Sequence, residues 1–183
     1  MRSDRVAERL VLDVSAAIAI ARAERGAVGV RTILADHLSG GGEIDVPTHF
    51  WLEFVNVLVR RYGRTPAEVI EAVRELDALG IETFEIDRSL LMLALHGMLS
   101  ASLSAYDAAY LALAEVVDGR LLTLDDRLST AAGERAFPRP EDAPRRPAET
   151  PATYVPAAAA ALSAAPVFVA YLAELRHRAE ATG

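Results

Sequence analysis

Four carboxylates occupy positions where a folded chain ordinarily places apolar side chains. Asp13 closes the run Leu10-Val11-Leu12, and Glu53 lies inside Trp51-Leu52-Glu53-Phe54-Val55. Asp107 lies inside Ala105-Tyr106-Asp107-Ala108-Ala109-Tyr110, and Asp125 follows Leu121-Leu122-Thr123-Leu124. An ionised carboxylate in such surroundings costs several kcal/mol unless something pairs with it. None of these segments carries a basic side chain. A bound cation is therefore the simplest partner, and hard oxygen ligands suit Mg²⁺ or Mn²⁺. The chain has no cysteine, which removes disulfides, thiolate catalysis and cysteine-ligated zinc. His37, His49, His96 and His177 show no metal-ligand spacing and read as ordinary surface or interior residues.

Composition narrows the classes further. Of 183 residues, 52% are hydrophobic, enough to bury one good core with an appendage. The 19 basic residues are all arginine, against 26 acids, for a net charge of −7. That balance excludes a general nucleic-acid coat but allows a local arginine-lined groove. Arg60, Arg61, Arg64 and Arg127 could steer a phosphate backbone, although a solvated helix end accounts better for the first three, and none is counted as a site residue. The start, Met1 to Arg9, is charged and the apolar run after it is interrupted by Asp13; no secretory signal is read, and a cytoplasmic location is expected.

The elements that must position the acids alternate between strand and helix. Arg9 to Val14 reads as a buried strand, with Ser15 capping a helix through Glu24 and a second helix over Ala27 to Leu38. Ser39-Gly40-Gly41-Gly42 is a turn, Glu43 to Val46 a short strand, and Pro47 is expected to open the helix carrying Glu53, which Gly63 ends. Thr65-Pro66-Ala67-Glu68 has the form of a capping box, and Gly80 stops the helix it begins. Ile81 to Ile86 alternates like a strand; Asp87 caps Arg88 to Met98, and Ser104 caps the Asp107 helix to about Val117. Arg120 to Leu124 closes the pattern as an apolar strand. Strands separated by helices imply a parallel sheet covered on both faces.

Asp13 and Asp125 both lie where a strand runs out, the edge at which open α/β sheets form their ligand crevice. Glu53 sits one turn before Asn56, so both point the same way, and Asp107 leads an Ala/Tyr/Leu surface that must face the sheet. If these helices flank the two strand ends, the acids converge. At an effective dielectric near 20, two carboxylates about 5 Å apart repel by about 3 kcal/mol, so without a cation some would hold a proton.

The stretches Leu10-Val11-Leu12-Asp13-Val14-Ser15-Ala16, Val46-Pro47 through Glu53 to Asn56-Val57-Leu58, Leu103 to Ala114, and Leu121-Leu122-Thr123-Leu124-Asp125-Asp126-Arg127-Leu128 together resemble the PIN-domain family. The resemblance is in particular to the VapC-type ribonuclease toxins of toxin-antitoxin systems. The resemblance covers about Leu10 to Ala136. It implies a PIN-like α/β/α sandwich with a central parallel sheet, in which Asp13, Glu53, Asp107 and Asp125 hold Mg²⁺ or Mn²⁺. Ser15 and Thr123 would support ligands or bound waters, with Asn56 a further candidate beside Glu53. The implied activity is endoribonucleolytic cleavage, the implied partners are an RNA substrate and a VapB-like antitoxin, and a homodimer is expected. The fourth acid is placed at Asp125, with Asp126 as the alternative, because the pattern reads Thr-x-Asp and the next position in it usually faces solvent.

Rival classes fit less well. A metal-dependent adhesion module would need a second serine where Ala17 stands, and an aspartyl phosphatase a second aspartate where Ser15 stands. A PIN-like protein that binds a partner without cleaving RNA is the remaining alternative. Beyond the nuclease domain, 1–136, seven of the nine prolines fall between Pro138 and Pro166. Residues 137–156 therefore read as an extended Pro-rich linker, little of which should pack. Residues 157–183 read as an Ala-rich helical tail with Phe168, Tyr171, Leu172 and Leu175 on one face. The uncharged stretch Thr150 to Ala173 is broken by Pro151, Pro156 and Pro166, so no membrane span is expected.

Overall fold

Leu10, Val11 and Leu12 are fully buried, and a run covered on both faces fits the centre of a parallel sheet with helices above and below. The computed structural model describes residues 7–141 and 143; the expected tail over 157–183 and most of the linker lie outside the described residues. Strands β1 (Arg9–Leu12), β2 (Glu43–Pro47), β3 (Glu82–Phe84) and β4 (Arg120–Leu122) form one sheet in the order β3-β2-β1-β4. All three pairings are parallel, with Leu10 opposite Ile44 on one side and Arg120 on the other. Helices α1 (Val14–Ala21), α2 (Ala27–Ser39), α3 (His49–Asn56), α4 (Pro66–Asp77), α5 (Arg88–Ala101), α6 (Ala105–Val116) and α7 (Asp126–Ala132) flank it. The result is the expected α/β/α sandwich.

The core runs through β1 and α6. Every residue from Ala108 to Ala114 is buried, and α6 packs on β1, β2 and β4 while α5 packs on α6. Alanine makes up most of that helix face, which brings its backbone close to the sheet. Asp87 caps α5 by accepting from Leu90 N–H at 2.8 Å. Asp87→Ala should therefore cost about 1 kcal/mol; an unchanged urea midpoint would show that the cap contributes nothing.

Several boundaries differ from those expected, each for a local reason. Asp13 rather than Ser15 caps α1, accepting from Ser15 N–H at 3.2 Å. Pro47 does not open α3: it is the last residue of β2, opposite Phe84. Proline has no N–H to give the ladder, and Thr48 N–H donates to Phe84 C=O at 2.9 Å instead. After Asn56 the chain widens into a π-turn over Val57–Arg61 before Gly63, at φ 62°, ends it. Helix α7 was not foreseen. Residues expected to begin a loose linker are tied to the domain: Phe137 N–H donates to Leu121 C=O at 2.9 Å, and Ala143 packs on the core. Among the described residues no single helix is long and apolar enough to cross a membrane.

Candidate metal and phosphodiester site

Chain connectivity opens a crevice between β1 and β4. From β1 the sheet grows through β2 to β3 on one side, whereas β4 adds on the other, so the segments leaving the carboxyl ends of β1 and β4 diverge. Asp13 and the stretch Thr123 to Asp125 occupy that gap, tied across it by Asp13 N–H donating to Leu122 C=O at 3.0 Å.

Asp13 is the most enclosed of the four acids, at 2% exposure. Its Oδ2 accepts from Thr123 Oγ1 at 2.7 Å, from Ser15 N–H at 3.2 Å, and from Ser15 Oγ. The hydroxyls are committed in the same direction, because Leu124 N–H donates to Ser15 Oγ at 2.8 Å and Asp125 N–H to Thr123 Oγ1 at 3.0 Å. Asp125 accepts from the N–H groups of Arg127 and Leu128 with one oxygen, Oδ1, both at 2.8 Å. Asp107 accepts from Ser104 Oγ with Oδ2 at 2.8 Å. Each of these three aspartates thus spends one oxygen on the protein, and its second oxygen has no hydrogen-bond partner among the described residues.

Their charges are felt mutually. Burial pushes the Asp13 carboxyl up to about 6, opposed by the Ser15 and Thr123 bonds and reinforced by the charge of Asp107. Burial also raises Asp107, with Ser104 opposing, Asp125 adding to the rise and Arg127 moderating it. Both shifts disfavour the ionised form, the condition a cation relieves. Among the described residues no three carboxylate or imidazole groups form a ready-made ligand cluster. The donor chemistry nevertheless suits a hard divalent ion: carboxylate oxygens, held by hydroxyl and backbone donors, with further oxygens uncommitted.

Glu53 is held from α6. Tyr110, fully buried, donates from its hydroxyl to Glu53 Oε2 at 3.0 Å. Burial, followed by the charges of Asp13 and Glu53, pushes that hydroxyl well above its ordinary range, so it remains a donor. His49 Nε2 lies 3.8 Å from the same oxygen, and its ring is 4.9 Å from Tyr110 and 5.4 Å from Tyr106. Neither ring nitrogen makes a hydrogen bond of normal geometry among the described residues, although the Tyr106 backbone lies close enough to oppose the effect of burial. Burial lowers the imidazole to about 4, so it is neutral at physiological pH.

The predicted site residues therefore divide. Asp13, Ser15 and Thr123 share one hydrogen-bond network, with Asp125 attached through its backbone N–H and Asp107 through its charge. Glu53 joins through Tyr110. Asn56 stays apart, exposed at the end of α3, with no side-chain hydrogen bond among the described residues. Asp126 pairs with Arg139 at 2.9 Å. Tyr110 and His49 were not foreseen as site neighbours. The signal was present in the spacing: His49 precedes Glu53 by four residues on α3, and Tyr110 follows Asp107 by three on α6.

The fold and this acidic crevice define a class: α/β sandwiches that work at the switch point of a parallel sheet. Residues 10–134 match the PIN domain profile, and the chain belongs to the PIN-domain family. PIN domains are in general nucleases that use divalent metal ions. Among solved structures, PAE2754 from Pyrobaculum aerophilum is 23% identical with a TM-score of 0.52, over 71% of this chain and 83% of that one. A chain in a toxin-antitoxin complex from Klebsiella pneumoniae is 16% identical with a TM-score of 0.51, over 72% of this chain and 98% of that one. These likenesses establish the shared fold. No curated protein sequence matches at a significant level.

Proposed function

We propose that this PIN domain is a Mg²⁺- or Mn²⁺-dependent endoribonuclease, the toxin of a VapBC-like pair, with RNA as substrate and a cognate VapB-like antitoxin as partner. The reading includes a cytoplasmic homodimer and the division into a nuclease domain, 1–136, a linker, 137–156, and a tail, 157–183. The observation that carries the activity is the uncommitted oxygen on each of Asp13, Asp107 and Asp125, beside carboxyls that burial and mutual repulsion drive toward protonation. The toxin role is supported by the fold shared with a chain of a toxin-antitoxin complex.

A divalent ion bound there would supply a water of lowered pKa and offset charge on the attacked phosphate. The chain's own residues prepare the place. Ser15 and Thr123 fix the Asp13 carboxylate by donating to one oxygen, which leaves the other directed elsewhere. Tyr110 keeps Glu53 oriented without neutralising it, and neutral His49 adds no competing positive charge. Arg127, whose charge reaches Asp107, stands near enough to the crevice to favour an approaching phosphate. No protein nucleophile is required.

Two measurements test this reading. Purified protein should cleave RNA with Mg²⁺ or Mn²⁺ and stop on chelation. Mn²⁺ at a hundred times its dissociation constant should stabilise the fold by about 2.7 kcal/mol through mass action. An unchanged melting temperature at millimolar Mn²⁺ would remove the metal site. Antitoxin binding without cleavage would identify a non-catalytic binding protein.

A further inference from the structure

An apolar groove of 260 Å³ lies between the end of α1, α2 and α4, lined by Ile20, Leu34, Ala35, Leu38, Leu76 and Leu79. Its rim carries the ion pair of Arg31 and Glu75, at 2.6 Å. On the same side of α2, Val28 is 73% exposed three residues before Arg31 and seven before Ala35, so the apolar strip extends beyond the groove toward the start of the helix. The groove is smaller than the about 300–1,000 Å³ of small-molecule sites, and its walls offer one ion pair and no converging polar groups. It suits the apolar side chains of a polypeptide.

The chain itself delivers such a polypeptide. Ala143 packs against Gly26, the residue before α2: a side chain on Gly26 would lie 2.7 Å from the Ala143 Cβ. Arg31, at the rim, is five residues further along α2, a rise of about 7.5 Å. From Ala143 another 40 residues follow, and Phe168, Tyr171, Leu172 and Leu175 recur at helical spacing within them. Phe168 is 25 residues beyond Ala143, and a chain of that length can span up to about 80–90 Å, many times the rise that separates Gly26 from the groove rim. Covalent attachment therefore lets the apolar stripe reach the groove at an effective concentration that no free peptide shares. A contact too weak to capture a free peptide would still be made by a tethered one.

We infer that the C-terminal segment containing Phe168, Tyr171, Leu172 and Leu175 docks in the α1/α2/α4 groove of its own chain. The tail then covers the apolar groove beside α2, and any other partner of that surface must displace it. This inference stands apart from the nuclease reading, since no residue lining the groove is one of the acidic crevice residues.

The absence of cysteine from residues 1–183 makes disulfide trapping in this chain unambiguous. Ala35→Cys in the groove is paired with Ala179→Cys or Ala164→Cys, which extend the apolar stripe at either end. The control pair replaces Ala35→Cys by Arg88→Cys, exposed on α5. At least one groove pair should close within the monomer ten times faster than its control, and Phe168→Glu with Leu172→Glu should return it to the control rate. Closure at the control rate in both pairs would overturn the inference. So would a rate indifferent to the two glutamates, and so would disulfides formed mainly between chains, which would show a second copy in the groove.

Discussion

Asp13→Asn is expected to abolish RNA cleavage and at the same time to stabilise the metal-free protein. The rise of the Asp13 carboxyl from 3.8 to about 6 corresponds to about 3 kcal/mol at neutral pH, at about 1.4 kcal/mol per pH unit. The sign follows from which state holds the proton. Between the unfolded and folded values the native protein binds more protons, so stability falls as pH rises through about 6. The stabilising contribution is fully present below the unfolded value of 3.8 and is lost above the folded one. Asparagine cannot ionise, and its carbonyl can still accept from Ser15 and Thr123. The variant should match wild type near pH 4 and exceed it by about 3 kcal/mol near pH 7, in chemical denaturation with chelator present. Cleavage should fall by more than about 100-fold, since even partners behind a ligand cost that much. Equal stability of the two proteins at neutral pH would mean that the carboxylate is not strained by its burial.

Arg9→Met should produce the largest loss of stability. At the amino end of β1, Arg9 donates from Nε to Asp45 Oδ2 at 2.7 Å and from a terminal nitrogen to Asp45 Oδ1 at 2.6 Å, and it also pairs with Glu43 and Glu82. The Asp45 side chain has no exposure, whereas Arg9 keeps 21%. Breaking a buried pair typically costs about 3–5 kcal/mol because the remaining charge has no compensation; the exposure of Arg9 places the expected loss near about 3 kcal/mol. Burial already raises Asp45 against the pull of Arg9, so without the arginine the deficit should grow as pH rises. Arg9→Met combined with Asp45→Leu should recover most of the loss. A single variant with wild-type stability would show that Asp45 finds water or another donor.

Much of the site was legible because the chemistry is local. A carboxylate closing an apolar run is conspicuous, and the order of strands and helices follows from periodicity, so the sequence alone points to the carboxyl ends of the first and last strands, where Asp13 and Thr123 share a hydrogen bond. Asp45 escaped notice because its partner is 36 residues away, and the sequence between carries no mark of the pairing. Tyr110 reads correctly as core, yet its hydroxyl reaches Glu53 across a separation of 57 residues; burial and function coincide in one side chain. Asn56 follows Glu53 by three residues, but at the end of α3 it is exposed whereas Glu53 is half-buried and bonded to Tyr110. Helix α7 was missed because its cap, Asp125, had been given a single role. It holds the helix with one oxygen, while the other has no hydrogen-bond partner among the described residues.

The bond between Thr123 and Asp13 spans 110 residues of chain, and this has a meaning for biosynthesis. Asp13 leaves the ribosome early, but its hydroxyl donor, its neighbour Asp125 and the strand that frames them are all encoded late. At about 5–20 residues per second, roughly 6–20 s separate the two halves of the site. A nascent chain carries only isolated carboxylates throughout that interval. Whatever the finished protein cuts, the machinery translating it is exposed to a complete site only after nearly the whole sandwich has been made.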